Sequence, residues 1–514
     1  MFLRSAWRSV TSFASVAIIT PINTPVWNSL RFVKMASAPV ARPPIKNYHH
    51  STRTERFLPP VDRTMTVLDK SFFHKEIPLV AIKLENPAFI SNFARSYERF
   101  ILKQHGVGHV VFLGSEENSG AKGILLAEQY TDAAEAEKQL VPEFSEILKQ
   151  TPIAFVPYRL QLTYDFWKAE EILAAILPES LLEEIPVGFT IVGHVAHLNI
   201  RDQYLPYKFI IGQVVLDKNP RVRTVVNKLD AIDTVFRTFD MEVLAGERDF
   251  MVEQSESNCR FRFDFSKVYW NSRLHTEHDR LIRKFRKGEA VCDVFAGVGP
   301  FAVPAGKKHV LAFASDLNPE SYKYLVSNIE LNKVGAFVKP FCEDARTFIR
   351  DGVTALLDFE KETPTITIPP KGRVSRSKPE KNNQPEVIKV PRHYSHYVMN
   401  LPDTATEFLD SFIGLYNNEE IRQHAFGSTE ADAVILPTIH VHCFHKHDPH
   451  VPEPSEAEVF EDLRARVSTK LNHEMKADEL DIHSVRKVAP TKTMYCISFK
   501  LPLEVALTKP ADIE

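Results

Sequence analysis

The residues best suited to chemistry lie at four points in the second half of the chain. The run Asp293-Val-Phe-Ala-Gly-Val-Gly-Pro-Phe follows a strand-like segment and leads into a helical one. Within it Ala296, Gly297 and Gly299 make a tight turn that a ligand can approach closely, with a helix N-terminus just beyond. Asp316 ends the next strand-like segment, 19 residues after Gly297, where a carboxylate can accept both hydroxyls of a ribose. Cys342-Glu-Asp-Ala follows a third segment, and the acidic Asp344 beside Ala345 can meet an adenine amino group. Asn400-Leu-Pro ends a fourth. Plainer readings exist for each: a structural glycine turn, and helix caps at Asp316, Asn318 or Asn400 ahead of a proline. Their order at consecutive strand ends points to a nucleoside-bearing cofactor.

The details narrow the cofactor. A dinucleotide fold asks for G-x-G-x-x-G, and the third glycine is missing here. Two glycines after an acidic residue suit the cofactor site of methyl-transferring enzymes. Enzymes that methylate amino nitrogens often carry Asn-Pro-Pro-Tyr at the fourth strand end; Asn400-Leu401-Pro402 lacks the aromatic residue, which argues against DNA adenine as the target. His440-Val-His-Cys-Phe-His-Lys-His offers imidazoles and a thiol, ligands typical of zinc. No matching second cluster accompanies it, and the run reads better as a strand at the rim of a sheet.

These points need a scaffold. From about residue 260 onward strand-like and helix-like runs alternate (AVCDVF, HVLAFASDL, PESYKYLVSNIELNK, FVKPFCED, HYVMNL, ATEFLDSFIGLY, AVILPTIHVHCF, MYCISFKL). That alternation predicts an open, mainly parallel, doubly wound sheet. Residues 360–392, rich in Pro, Lys, Ser and Asn, predict a flexible insertion before HYVMNL. Upstream, residues 89–103 and 160–177 have helical spacing, and HVVFL at 109–113 reads as a buried strand. GFTIVGHVAHLNI, KFIIGQVVLD and TVVNKL give residues 185–244 a β-rich texture and predict a small α+β module.

Composition is that of a globular protein, 44% hydrophobic and 25% charged, with a net charge of −3. Two stretches are locally basic. Residues 205–228 set Lys208, Lys218, Arg221, Arg223 and Lys228 against Asp217 alone, and residues 260–287 hold nine Lys or Arg against three acidic residues. Either is a solvated face or a track for phosphates. Five widely spaced cysteines without a CxxC pair argue against a disulfide framework. Arg4, Arg8, Arg31, Lys34 and Arg42 all precede the first acidic residue, Glu55. This composition predicts a mitochondrial presequence, and a start at Met35 would leave a second pool in cytoplasm and nucleus. The apolar run at 16–19 is too short to span a bilayer, so no membrane association is expected.

Several stretches together resemble the eukaryotic and archaeal tRNA (guanine-37-N1)-methyltransferases of the Rossmann type. They are GHVAHLN at 193–199, LPYKFIIGQ at 205–213, TVVNK at 224–228, FRTFDMEVLAGE at 236–247 and YWNSRLHTEH at 269–278, with AGVGPF and NLP. The resemblance implies an α/β fold: a Rossmann-type class I methyltransferase domain (259–514), a small α+β middle domain (181–258), and an N-terminal tRNA-recognition domain (61–180) after a leader (1–60). It implies S-adenosylmethionine as methyl donor, tRNA as partner, and a monomer. It also implies roles. Glu277 matches the general base, Arg237 the residue that stabilises charge on guanine O6, Asn400 the base-positioning residue, and Pro402 shapes its loop. His278, Asp316, Leu317, Asp344, Ala345 and Asn400 match cofactor contacts, and Lys208, Lys218, Arg221, Arg223 and Arg273 are candidate phosphate contacts. Without the resemblance, Glu277 and Arg237 read as surface ion-pair residues. Guanine N1 carries a proton, and a free Glu is a weak base with a pKa of roughly 4.3, so burial is expected to raise Glu277. Related enzymes of wybutosine synthesis transfer the aminocarboxypropyl arm of the same cofactor; the retained Asn-Leu-Pro and Thr-Glu-His favour methyl transfer.

Overall fold

Alternate residues of the central strands feed two separate cores, and this makes the catalytic sheet a layer buried on both faces. In the computed structural model the strands β1 (Ala290–Asp293) and β2 (Leu311–Ser315) are buried along their whole length. Ala290, Cys292, Leu311 and Phe313 join one core, while Val291, Ala312 and Ala314 join the other. This is the period of two expected of a strand covered above and below. The structure describes residues 53–113, 121–232, 239–369 and 385–509, all within the unit His50–Glu514. The basic leader lies outside the described residues, as does Arg237.

The remaining strands are β3 (Val338–Phe341), β4 (His396–Met399), β5 (Thr438–Lys446), β6 (Leu480–Ala489) and β7 (Lys492–Lys500), in the order β3-β2-β1-β4-β5-β7-β6. Five neighbouring strands run parallel, and β7 enters antiparallel to both β5 and β6. Helices α1 (His275–Lys284), α2 (Ala302–Lys307), α3 (Pro319–Asn332) and α4 (Ala345–Glu362) connect them. α3 starts where Asn318 accepts from the Glu320 N–H, with Pro319 at its first position, and stops at Lys333 in a left-handed conformation. α4 buries positions 345, 348, 349, 352, 353, 356 and 357, a helical stripe.

Ahead of this domain, one four-stranded sheet spans residues 75–162 and a second spans 190–246. They share a core, because Ile77 and Leu79 of the first pack in the same cluster as Val225 and Leu244 of the second. A hairpin, Met251–Glu256 with Cys259–Asp264, leads into the catalytic sheet; its turn holds residues 257 and 258.

Several sequence expectations need correction. KFIIGQVVLD is helix Lys208–Lys218, not strand. Its β-branched residues favour strands locally, but Ile210, Ile211, Val214 and Val215 form one buried helical face, so tertiary packing overrides propensity. Residues 160–177 are not one helix: strand Ile153–Leu162 runs into them, and helix Ala169–Ile176 begins where Glu171 accepts from the Lys168 N–H. Strand Val110–Phe112 is an edge strand with Phe112 59% exposed, so HVVFL is not buried. The 360–392 segment is structured at both ends. α4 continues to Glu362, and Thr365–Ile368 pairs antiparallel with Glu386–Lys389; residues 370–384 lie outside the described set.

Candidate functional site

The C-terminal ends of β1, β2, β3 and β4 bring the sequence-selected residues together. Gly297 and Gly299 both have positive φ (54° and 95°), conformations that disfavour any side chain. A Cβ on Gly297 would meet nothing within 4 Å, whereas one on Gly299 would strike Val303 and Leu325 at 2.7–2.8 Å. The first glycine therefore borders open space that a ligand can enter, and the second lets the loop pack on its own helices. Gly297 N–H donates to Asp316 Oδ2 (2.8 Å) and Asn318 N–H to Oδ1 (2.9 Å). Ala296 N–H reaches Ser315 O, and Ser315 Oγ links to Glu343. Three strand ends are thereby tied into one rim. Leu317 is half exposed on that rim, and Asp344 is the N-cap of α4, accepting from Arg346 N–H ahead of buried Ala345.

Asp293 at the end of β1 is fully buried, and no side chain donates to either of its carboxylate oxygens. Burial pushes it up to about 8, with the Asp316 charge adding and the Ala302 N–H opposing. A buried carboxyl with no side-chain donor, beside an open glycine turn, is chemically suited to receive a cationic group. Asn400, at the end of β4, likewise has a buried side-chain carbonyl oxygen with no partner. The Pro402 carbonyl accepts from Phe444 N–H (2.8 Å), which fixes the loop after β4 against β5. This set of acceptors fits the ammonium, ribose and adenine of S-adenosylmethionine.

Glu277 lies in the first turn of α1 and is 3% exposed. Arg280 grips its carboxylate twice, Nε to Oε2 at 2.6 Å and Nη2 to Oε1 at 2.8 Å. His442 Nε2, from β5, meets Oε1 at 2.8 Å. Burial pushes Glu277 up, but these two partners overcome it and hold the carboxyl well below the usual range. The expected upward shift is therefore wrong: the helix-turn Arg280 and the strand residue His442 supply more favourable interaction than burial removes. His442 itself is raised, since Cys496 and Glu277 outweigh its own burial. Glu277, His442 and Cys496 place a carboxylate oxygen, a ring nitrogen and a sulfur within 4.8 Å of one another. Both carboxylate oxygens already accept from Arg280, and its guanidinium supplies the positive charge a metal ion would bring.

His278, next on α1, is buried with Nδ1 against Glu256 of the hairpin, and its ring packs edge-on to Phe301 (4.8 Å) behind the glycine turn. Among the basic candidates, Lys208 is held by Glu242 (2.8 Å), and Lys218 donates to Tyr164 O over that residue's ring. Arg221 is exposed, Arg223 pairs with Asp249 (3.2 Å), and Arg273 reaches Thr190 Oγ1 (3.2 Å). Sequence reasoning missed Arg280, and it placed His442 on a rim although His440 and His442 are both fully buried. The i+3 spacing from Glu277 to Arg280 was the signal for the first. For the second, the His-x-His alternation gave the shared face but not its burial. No helix among the described residues is long and apolar enough to cross a membrane.

Residues 169–249 match the model of the TYW2 N-terminal domain and residues 252–357 that of the TRM5/TYW2 methyltransferase domain. The chain is 48% identical over 446 residues to a Schizosaccharomyces pombe protein named tRNA (guanine(37)-N(1))-methyltransferase, covering 87% of this chain and 96% of that one. Proteins of the same name from Candida albicans (SC5314) and Saccharomyces cerevisiae are each 47% identical, over 88% and 87% of this chain and 98% and 95% of theirs. Among solved structures, Trm5b from Pyrococcus abyssi superposes with a TM-score of 0.50 at 22% identity, over 82% of this chain and 99% of that one. The complex of aTrm5 and tRNALeu gives 0.51 at 20% identity, over 82% and 100%. These two likenesses are in fold.

Proposed function

From the premise that the chain belongs to the tRNA (guanine(37)-N(1))-methyltransferase family, we propose that Glu277 is the base of its reaction. The enzyme transfers a methyl group from S-adenosylmethionine to N1 of guanine 37 of tRNA. The observation that carries this function is the identity to enzymes of that name along nearly their whole length.

When bound, S-adenosylmethionine supplies an electrophilic methyl carbon on a sulfonium. Asp293 receives the cofactor's ammonium, Asp316 its ribose hydroxyls, and Leu317, Asp344 and Ala345 border its adenine. The open turn at Gly297 and the carboxyl of Asp293, to which no side chain donates, support this arrangement. The target guanine has to leave its stack to reach the pocket. Asn400 orients the base edge with its free carbonyl oxygen, and Arg237 offsets negative charge on O6. Glu277 takes the N1 proton while the N–H electron pair stays with the ring nitrogen that attacks. A carboxylate already ionised at neutral pH is ready for this step, and bond formation to the methyl group makes the departing proton far more acidic. His278 packs on Phe301 behind the glycine turn, where it borders the cofactor and ties α1, which carries Glu277, to that turn. Arg221, Arg223 and Arg273 contact tRNA phosphates.

The test is incorporation of labelled methyl into unmodified tRNA with guanine at position 37, beside the same tRNA with adenine there. Label in the guanine tRNA alone, mapped to N1, is the expected result. Label in both, or a product heavier by the aminocarboxypropyl arm, would overturn it.

A further inference from the structure

Two residues from different elements meet Glu277. Arg280 belongs to the same helix, three residues on, and holds both oxygens. His442 comes from β5, 165 residues away, and meets only Oε1. Oε1 thus has two donors. Oε2 has the Arg280 Nε–H alone, and beyond it stands His483 of β6, 44% exposed, with Nε2 at 3.9 Å. Two donors therefore meet Oε1, whereas Oε2 has one donor and keeps a lone pair. The groups facing this pair are Arg280 from α1, Cys496 from β7 and His483 from β6; Asp293, at the end of β1, and His440, two residues back on β5, also sense the charge on His442. His442 is 0% exposed, and its Nδ1 makes no well-formed hydrogen bond. The ring's one well-formed hydrogen bond is to the carboxylate of Glu277, with the Cys496 sulfur close by.

We propose that His442 is a positioning residue for methyl transfer: by occupying Oε1 together with Arg280, it leaves the remaining lone pair of Oε2 as the one that takes the N1 proton. The proposal rests on Glu277 being the base. His442 touches neither guanine nor cofactor in this scheme. It fixes which oxygen accepts the proton and keeps that oxygen's carboxylate ionised. The direction of its own titration agrees, because Cys496 and the buried carboxylate of Glu277 together hold the imidazole protonated.

The experiment compares full-length wild type, His442→Leu, His442→Gln and Glu277→Gln in single turnover on guanine-37 tRNA across pH. The Leu variant removes the donor; the Gln variant keeps an N–H near the same place. In the Leu variant the rate is expected to fall about tenfold or more at pH 6 and to recover on raising the pH, as the carboxylate loses a stabilising partner. The Gln variant is expected to restore most of the rate, and calorimetric affinity for S-adenosylmethionine is expected to match wild type in both. A Leu variant with wild-type rate and pH profile, beside an inactive Glu277→Gln, overturns the positioning role and leaves the base standing. An active Glu277→Gln overturns the base itself. Should the Leu variant not fold, the 15N signals of His442, identified by difference with His442→Gln, decide. Both ring nitrogens protonated at neutral pH, and changed by Glu277→Gln, are expected; a neutral ring, or one indifferent to Glu277, overturns the proposal.

Discussion

Asp293 and Glu277 are both buried carboxyls of one domain, yet their surroundings drive them in opposite directions. Asp293 ends a central strand with no side-chain donor and is pushed up to about 8; Glu277 sits between a guanidinium and an imidazole and is held ionised. Burial penalises the charged form in both, so the difference lies wholly in the partners. A carboxyl left without a partner costs the free protein stability and is repaid when a cationic ligand arrives. A carboxyl supplied with partners in advance costs little and stands ready to act. The same desolvation serves binding at one place and proton transfer at the other.

The largest effect that can break this contrast is chemical. Glu277→Gln keeps the shape and hydrogen-bonding capacity of the side chain but not its basicity. Single-turnover methyl transfer is expected to fall by about 10²–10⁴-fold, read by filter binding of labelled tRNA, with cofactor affinity unchanged. Next in size, Arg280→Leu leaves Glu277 buried with His442 as its strong partner. A loss of about 3–5 kcal/mol is expected on breaking a buried pair, visible as a lower midpoint in urea unfolding.

Asp293→Asn sharpens the other side. Because its folded-state value is raised, the wild-type carboxyl leaves the ligand-free protein unpenalised below its unfolded value of about 3.9. It destabilises progressively as the pH climbs toward 8. Asn removes the penalty, so the ligand-free variant is expected to melt higher than wild type at pH 8 and equally at pH 4. Its affinity for S-adenosylmethionine is expected to be weaker by about tenfold, the loss of one charge-assisted contact. Equal melting at pH 8 would show that Asp293 is not strained in the free protein.

The smallest effect concerns the surface. Lys208 and Lys218 are engaged within the protein, whereas Arg221 is exposed. Arg221→Ala is expected to weaken tRNA binding modestly and to lower the salt slope of log K by about 1, measured by fluorescence anisotropy. Lys208→Ala is expected to leave that slope unchanged.

Much of this was legible from residue types. The glycine turn, Asp316 and the Asp344 cap fall at consecutive strand ends because short-range chemistry fixes them: positive φ at Gly297, a helix cap at Asn318 before Pro319. The strands of the doubly wound sheet showed as apolar runs. The misreadings have one origin, long-range packing. Helix Lys208–Lys218 reads as strand because its β-branched residues are matched to a buried face that the sequence does not display. The electrostatic state of Glu277 was inverted for the same reason. Arg280, its larger partner, was within reach of the i+3 rule, but its second partner lies 165 residues away on β5, and no spacing rule connects a first-turn glutamate to a strand histidine.

The pH dependence of single-turnover methyl transfer by the wild-type enzyme, with saturating S-adenosylmethionine and guanine-37 tRNA, tests the central claim most directly. A base held ionised by Arg280 and His442 gives a rate that is flat down to about pH 5.5. A rate that falls away between about pH 7 and 6 would mean a base raised by burial, and would contradict this account of Glu277.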